Sequence, residues 1–451
     1  MNIPSILNGV FGLSLLIGIA YLLSNNKRKV NWRLVLSGFL LQIVFAIFML
    51  KGRSMETYFA PMGWPVRLFE WLSKGLVTVL GFTTEGAKFL FGALSISPGN
   101  EGSMGFFFAF QVLPTIIFFS SLMSLLYYMG IMQRVVQAMA WVMYRIMGTS
   151  GAESLSNTAN IFVGQTEAPL MIRPFIAGMT QSELLTIMVG GMATIAGGVL
   201  AAYVQMLGYS YSQAHGLEIA VGQAKFAAQL MAASIMAAPA GLAISKIILP
   251  EIGDPETKKT VKVSVEKNAS NVIEAAAVGA SDGLQLALNV GAMLLAFIAI
   301  IAMSNFLLRG MGELSGLNSF FVQHYGQPLT LQLLFGLALQ FLAVGLGVPW
   351  NDALQVGSLI GTKVVLNEFV GYLDLSNMIA SGKIVSEKAI MMATFALCGF
   401  ANFSSIAIQI GGLSPMAPHR RKDLAALGLK AVVGGTLANL MTATIAGILV
   451  G

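Results

Sequence analysis

The sequence predicts an all-α polytopic membrane protein with eight transmembrane helices, two re-entrant hairpins with inverted repeats, and an interfacial helix. Hydrophobic residues make up 56% of the 451 residues and charged residues only 10%, whereas a soluble domain is about one quarter charged. Mean hydropathy is +0.76. Several apolar runs are long enough to cross a bilayer, which takes about 20 residues. The bilayer is therefore the expected surroundings of most of the chain.

Eight apolar runs define the predicted transmembrane helices: 3–23, 34–50, 104–128, 184–208, 226–249, 286–308, 390–411 and 430–450. The first run has no basic region before it and no small-residue cleavage site after it, so we expect a membrane helix rather than a signal peptide. Residues 64–94 combine Trp64 and Trp71 with Arg67 and Lys74. That composition is typical of a helix that lies at the membrane interface.

Two further apolar stretches, residues 151–180 and 330–380, are interrupted by glycine, proline and polar residues. Lysine and arginine collect in cytoplasmic loops, and here they occur in SNNKRKVNWR (24–33), around Arg134 and Arg145, in 250–273 and in HRRKD (419–423). These loops agree on one topology only if each interrupted stretch enters and leaves the membrane on the same side. The first would be a re-entrant hairpin from the cytoplasm and the second from outside, with both chain termini outside.

Each hairpin is followed by an interrupted helix, MVGGMATIAGG (188–198) in the first half and FANFSSIAIQIGG (400–412) in the second. Paired interrupted segments of opposite orientation are typical of secondary transporters. The chain then divides into N-terminal helices, interfacial helix and part of a scaffold (1–128), the first hairpin and its interrupted helix (129–249), a cytoplasmic connector with a scaffold helix (250–328), and the second hairpin, interrupted helix and last helix (329–451).

Two carboxylates, Glu167 and Glu368, are expected at membrane depth. A charged side chain at the bilayer centre costs about 2.5–3.5 kcal/mol on the insertion scale, and neither glutamate has a cationic partner within sequence reach. Each therefore needs a water-filled cavity, a ligand or a proton, unless it is a neutral glutamate bonded to nearby backbone. Gln165 and Thr166 precede the first glutamate and Asn367 precedes the second. Polar clusters where a helix is broken favour a binding site.

Asn402 and Ser405 are three residues apart and so share one helix face, with Phe400 close by. Such a pair alone usually bonds another helix. Together with an aromatic ring and two glutamates it indicates a pocket for a flat, hydroxylated solute. The glycine-rich segment that contains Thr194 is, by itself, more typical of tight helix packing.

Other chemistries find no support in the sequence. No Walker A motif occurs, so ATP is not expected as the energy source. His215, His324 and His419 are predicted in loops without metal-ligand spacing, hence not catalytic. Cys398 lies in an apolar run and is predicted to be a core residue. The net charge of +6 is explained by cytoplasmic loops rather than by binding to nucleic acid.

Four motifs, in order and spacing, resemble those of the concentrative nucleoside transporters: SNTAN (156–160), GQTEAPL (164–170), NEFVGY (367–372) and GFANFSSIAIQIGG (399–412). The resemblance is close over about 150–412 and weaker in the first hundred residues. It implies a homotrimer in the inner (cytoplasmic) membrane that moves nucleosides such as uridine or adenosine by an elevator motion. It also implies the substrate-binding residues Gln165, Thr166, Glu167, Glu368, Phe400, Asn402 and Ser405.

The resemblance further implies a sodium ion, co-transported, between the first hairpin tip and the unwound helix that follows. Its ligands would be the side chains of Asn160 and Thr194 and the main-chain carbonyls of Val163 and Ile195. Proton-driven members have a different residue set around that tip, including SEN where this chain has TEA. Here Asn160 keeps an amide and Thr194 keeps a hydroxyl, which favours sodium. The alternatives are a proton-coupled nucleoside or nucleobase symporter, a membrane-embedded enzyme that uses both glutamates, and a passive channel. The enzyme is disfavoured because the sequence offers neither a metal-ligand set nor a nucleophile beside a base.

Overall fold

The computed structural model of the chain describes residues 3–52, 56, 63–96, 101–257 and 269–450. Every regular element within these residues is a helix, which confirms the all-α prediction. The main helices are α1 (Ile3–Leu22), α2 (Trp32–Ala46), α3 (Gly63–Phe91), α4 (Leu113–Tyr128), α5 (Ile131–Met147), α6 (Gly151–Ala159), α7 (Gln181–Ala193), α8 (Gly197–His215), α9 (Ile219–Ile248), α10 (Val272–Leu314), α11 (Leu317–Tyr325), α12 (Leu331–Gly345), α13 (Trp350–Val365), α14 (Glu368–Ala380), α15 (Glu387–Leu397), α16 (Phe403–Leu413) and α17 (Arg421–Val450).

Within the described ranges, seven helical spans are long and apolar enough to cross a membrane. They are Ser5–Leu22, Trp32–Lys51, Phe108–Tyr128, Gln181–His215, Ile219–Ile248, Val272–Leu314 and Pro418–Val450. Helices α12 and α13 meet the same criteria together but are bent by 119°. A polytopic helical protein is thus supported, while the total of eight transmembrane helices stays a prediction.

Capping boxes mark both ends of the first predicted hairpin, and a buried ion pair holds its first helix. Ser150 and Glu153 bond each other's backbone at the start of α6, and Thr180 and Glu183 do the same at the start of α7. Such pairs satisfy amides that a helix start leaves unpaired. Lys246 of α9 lies 2.8 Å from the Glu153 carboxylate, and both side chains are buried. The sequence analysis did not anticipate this ion pair.

The second hairpin covers fewer residues than the predicted stretch 330–380. It consists of α13 and α14, which meet at a tip, while α12 is a separate helix that packs along α13. The two helices approach closely at Gly357, where a Cβ atom would lie 2.8 Å from the backbone nitrogen of Gln340. Glycine here therefore allows tight packing of the two helices.

Two groups of helices differ in how deeply they are buried. Helices α9 and α17 lie in the interior of the protein, with 89% and 83% of the residues in their apolar stretches buried, against 22% for α10. Helix α10 packs along α4, where the hydroxyls of Ser121 and Ser124 donate to the carbonyls of Ala276 and Ala275 at 2.9 and 2.7 Å. Much of the remaining surface of α10 is apolar and exposed.

The predicted interfacial helix corresponds to α3. Trp64 and Trp71 are exposed while Val66 and Phe69 are buried, so the helix packs by one face only. This pattern fits a helix at the interface, although its position in a membrane stays a prediction.

The prediction that the histidines lie in loops is wrong: two lie in α-helices, and His419 lies in the short 3₁₀ helix Pro418–Arg420. His215 ends α8 and His324 lies in α11. Each ring Nδ1 lies 2.9 Å from the carbonyl four residues earlier, which closes the last turn of its helix. Cys398 is free and fully buried, as predicted.

Candidate functional site

The tip of the first hairpin is a run of turns between α6 and a short 3₁₀ helix at Ala168–Ile172, which contains Pro169. Gln165 in this tip is nearly buried. Its amide nitrogen donates to the hydroxyl of Ser405 at 3.2 Å, and its amide oxygen accepts from Gln409 at 3.0 Å. The first tip is thereby bonded to α16 of the second half of the chain.

The tip of the second hairpin begins at Asn367, whose side chain caps α14 by accepting from the backbone of Val370 at 2.9 Å. Glu368 follows in the first turn of α14. Its two carboxylate oxygens accept from the Tyr203 hydroxyl at 3.1 Å and from the Asn402 amide at 3.0 Å. Because the helix start carries a partial positive charge, this position favours a carboxylate.

The interrupted helix of the second half breaks between α15 and α16. Asn402 ends the break and caps α16, because its side-chain oxygen accepts from the backbone of Ser405 at 2.9 Å and from the Ser404 hydroxyl at 2.7 Å. Its amide nitrogen remains free to bond Glu368. One asparagine thus sets both the helix start and the position of the carboxylate.

These tips and the break enclose a cavity of about 150 Å³. All seven residues predicted to bind substrate line it, namely Gln165, Thr166, Glu167, Glu368, Phe400, Asn402 and Ser405. Glu167 is exposed, whereas Glu368 is only 6% exposed. The opposite wall is apolar and comes from Leu286, Val290, Met293 and Leu294 of α10. Pockets of this kind, mostly apolar with a few convergent polar groups, suit a small solute.

The four predicted cation ligands lie on two segments that contact each other. Asn160 and Val163 belong to the first tip, and Thr194 and Ile195 lie between α7 and α8, where the helix is interrupted. The backbone nitrogen of Gly197 donates to the carbonyl of Phe162 at 3.0 Å, which joins the two segments.

The buried side chain of Asn160 has polar atoms without hydrogen-bond partners, which indicates a ligand at this position. Its side chain is 1% exposed, yet neither its amide oxygen nor its amide nitrogen has a hydrogen-bond partner. Buried polar groups are nearly always bonded. Thr194 is also buried, and its hydroxyl donates to the carbonyl of Gly190 at 2.9 Å, which leaves the oxygen able to accept or coordinate.

The donor set fits a hard cation held by neutral oxygens. Over the described ranges the chain has no group of three His, Cys, Asp or Glu side chains that could hold a metal ion. A cation here would rely on an amide, a hydroxyl and backbone carbonyls.

Several residues at the site escaped the sequence analysis. Tyr203 bonds Glu368 from α8, and Gln409 bonds Gln165 from α16. Gln409 lies four residues after Ser405, on the same helix face, so its spacing could have revealed it. Tyr203 and the apolar wall of α10 offer no such local signal.

Comparison with known families covers most of the chain. The profile described as "Na+ dependent nucleoside transporter C-terminus" matches residues 229–447, the corresponding N-terminal profile matches 11–94, and one described as "Nucleoside recognition" matches 109–210. The chain is 42% identical to the nucleoside permease NupC of Helicobacter pylori, over 99% of the chain and 98% of the permease. It is 38% identical to sodium/nucleoside cotransporter 1 of Mus musculus, over 99% of the chain and 64% of that protein.

Solved structures of CNTnw have the same fold. In an inward-facing, substrate-bound state CNTnw matches with a TM-score of 0.83 at 43% identity, over 99% of both chains. A CNTnw variant in an outward-facing state matches with a TM-score of 0.85 at 43% identity, over 100% of this chain and 99% of the other.

Proposed function

The chain belongs to the family of Na⁺-dependent nucleoside transporters, and we propose that it imports nucleosides by sodium symport with an elevator mechanism. It is a membrane transporter rather than an enzyme, and sodium is its co-transported ion. One observation carries the proposal: both polar hairpin tips line one cavity, next to a buried amide without a partner.

In the proposed topology the protein crosses the inner membrane eight times, with both termini outside. The order of hairpin, interrupted helix and long helix occurs twice, as α6 to α9 and as α13 to α17. We infer that these halves are inverted repeats. The division of the chain at 128/129, 249/250 and 328/329 follows the same order of elements.

The nucleoside binds between the tips in this proposal. Gln165, Thr166 and Glu167 present an amide, a hydroxyl and a carboxylate, which match the donors and acceptors on the edge of a nucleobase. Glu368 accepts hydrogen bonds from the ribose hydroxyls. Asn402 and Ser405 also bond these hydroxyls, and Phe400 contacts the flat ring. Such a site discriminates against analogues that leave its buried polar atoms unpaired.

Sodium binds beside the nucleoside. Asn160 and Thr194 supply side-chain oxygens, and Val163 and Ile195 supply carbonyls. The ion would give the Asn160 amide oxygen its missing partner and hold the tip in the conformation that presents Gln165. Sodium therefore binds first, and the ordered tip then binds the nucleoside.

Coupling to sodium provides the driving force. Each ion that enters down the membrane potential supplies about 2.3 kcal/mol per 100 mV, which corresponds to roughly fifty-fold accumulation. The apolar wall of α10 supports the elevator step, because a wall without hydrogen bonds allows the loaded hairpins to slide past it. Helices α4 and α10 would form the static scaffold.

A homotrimer is the proposed assembly. The scaffold helix α10 exposes Leu288 and Leu295, at 58% and 76%, on a surface that lipid or neighbouring subunits can cover. Family resemblance favours three copies.

Uptake into liposomes tests this function. Purified protein is reconstituted, and radiolabelled uridine and adenosine uptake is measured with an inward sodium gradient, with choline in place of sodium, and with a pH jump in sodium-free buffer. We expect accumulation only with sodium. Accumulation driven by the pH jump alone would instead indicate the proton-coupled alternative, and equilibration without accumulation would indicate a passive channel.

A further inference from the structure

Lys363 is a buried lysine on the second hairpin, outside the lining of the substrate cavity, that the proposed function leaves unused. It lies in the last turn of α13, two residues before this helix ends, and is only 1% exposed. A buried ammonium persists only where acceptors surround it. Its surroundings therefore indicate what it holds in place.

The Lys363 ammonium donates to the carbonyl of Ala396 at 2.8 Å and to the side-chain oxygen of Asn439 at 2.6 Å. Ala396 lies in the last turn of α15, just before the helix is interrupted. The carbonyls at a helix end lack partners within the helix and carry partial negative charge. Lys363 thus bonds the second hairpin to the broken end of α15.

The same contact continues into the first half of the chain. The Asn439 amide nitrogen donates at 2.6 Å to the carbonyl of Ala193, the last residue of α7. The two broken helices therefore end at one Lys363–Asn439 pair. Gly399 makes this approach possible: its φ is +124°, and a Cβ there would lie 2.6 Å from the Ala193 carbonyl oxygen.

The two halves differ in where the positive charge comes from. The first tip, residues 160–167, contains no lysine or arginine, and in the proposed function its cation is a sodium ion from solution. The second half carries its cation on a side chain, five residues before Glu368. A second link, from Asn402 to Glu368, joins the same hairpin to the other side of the break.

We propose that Lys363 is a positioning residue for nucleoside binding, a tethered ammonium that holds the Glu368 tip against the interrupted helix as sodium holds the first tip. This inference rests on the proposed function. Lys363 does not touch the nucleoside; it acts through Glu368 by fixing the tip that carries this carboxylate.

The test is a double-mutant cycle on nucleoside affinity. Uridine binding to the purified full chain is measured by calorimetry at saturating sodium for wild type, Lys363→Met, Glu368→Gln and the double variant. We expect Lys363→Met to weaken binding by about tenfold or more, the scale of one hydrogen bond to a charged group. In the Glu368→Gln background the same change should have little further effect, because the group through which Lys363 acts is already altered.

Two results would overturn the inference: wild-type affinity in Lys363→Met, or an equal loss in both backgrounds, which would indicate a role independent of Glu368. Lys388→Met is the matched control, since Lys388 is half-buried and bonds Ser5 at 2.7 Å, away from the cavity. If Lys363→Met does not purify as the wild-type oligomer, Lys363→Gln is compared in the same two backgrounds, and the same outcomes decide.

The cycle also separates this inference from the proposed function. If the wild type binds uridine with the same affinity in the presence and absence of sodium, sodium symport is contradicted. Sodium-dependent wild-type binding with an unaffected Lys363→Met variant would contradict only the role of Lys363.

Discussion

Replacing Glu368 by glutamine should weaken nucleoside binding through the ribose. In the structure each carboxylate oxygen accepts one hydrogen bond, from Tyr203 at 3.1 Å and from Asn402 at 3.0 Å. A glutamine offers one accepting oxygen and one donating NH₂ group, so it can accept from Asn402 only while its NH₂ group faces the Tyr203 hydroxyl, and a ribose hydroxyl would lose its charged acceptor. A hydrogen bond to a charged group contributes about 1.5–3 kcal/mol, so we expect affinity to fall roughly 10- to 150-fold.

Calorimetry with two ligands isolates the ribose contribution. Uridine and 2′,3′-dideoxyuridine are titrated into wild type and Glu368→Gln at saturating sodium, with Glu313→Gln, an exposed glutamate of α10, as the matched control. The loss should be large for uridine and small for the dideoxy analogue, while the oligomer remains intact. An equal loss for both ligands, or none for uridine, would refute the ribose role of Glu368.

Three further predictions concern the cation, the backbone and an ion pair. Asn160→Ala or Thr194→Ala should raise the sodium concentration needed for half-maximal uridine uptake, because each removes one proposed ligand; an unchanged sodium dependence would point to protons. Gly399→Ala should lower the melting temperature, because an L side chain is strained at φ +124° and its Cβ would crowd the Ala193 carbonyl; wild-type stability would contradict the close approach. Burial raises the pKa of Glu387, but hydrogen bonds from Lys225 and Tyr211 outweigh burial, so the pKa of this carboxyl is lowered. These bonds therefore stabilise the folded protein above the ordinary carboxyl pKa, and that stabilisation is lost as the pH falls through the pKa of Glu387 in the folded state. The melting temperatures of wild type and Glu387→Gln should therefore differ modestly at pH 7 and converge in acid. A difference that grows in acid would contradict a lowered pKa for Glu387.

The sequence predicts the interrupted elements well because their causes are local. Asn367 and Asn402 act as helix caps, and capping depends on the residues within one turn. The breaks after α7 and α15 follow from the glycine-rich and polar segments, so Thr194 and Asn402 could be placed without coordinates.

Contacts between distant parts of the chain were not predictable in the same way. Tyr203 and Glu368 are 165 positions apart, and Lys363 and Asn439 are 76 positions apart. The sequence analysis took Glu368 to lack a cationic partner; Lys363, buried on the same hairpin, bonds Ala396 and Asn439 rather than this carboxylate. Lysine within an apolar helix gives no sign of which acceptors surround it until the halves are packed together.

The order of the two hairpins along the chain also gives no sign that their tips line one cavity. Gln165 bonds Ser405 across 240 positions, and only the packing of the two halves brings these side chains to one cavity. The motif resemblance supplied that expectation, and hydrophobic periodicity alone did not.

The linkage between sodium and nucleoside at equilibrium tests the central claim most directly. The dissociation constant for uridine is measured by calorimetry over a series of sodium concentrations, with choline chloride holding ionic strength constant. If sodium completes the tip around Asn160, the dissociation constant falls steeply as sodium rises and then levels off when the ion site is full. A dissociation constant that does not change with sodium would contradict the account.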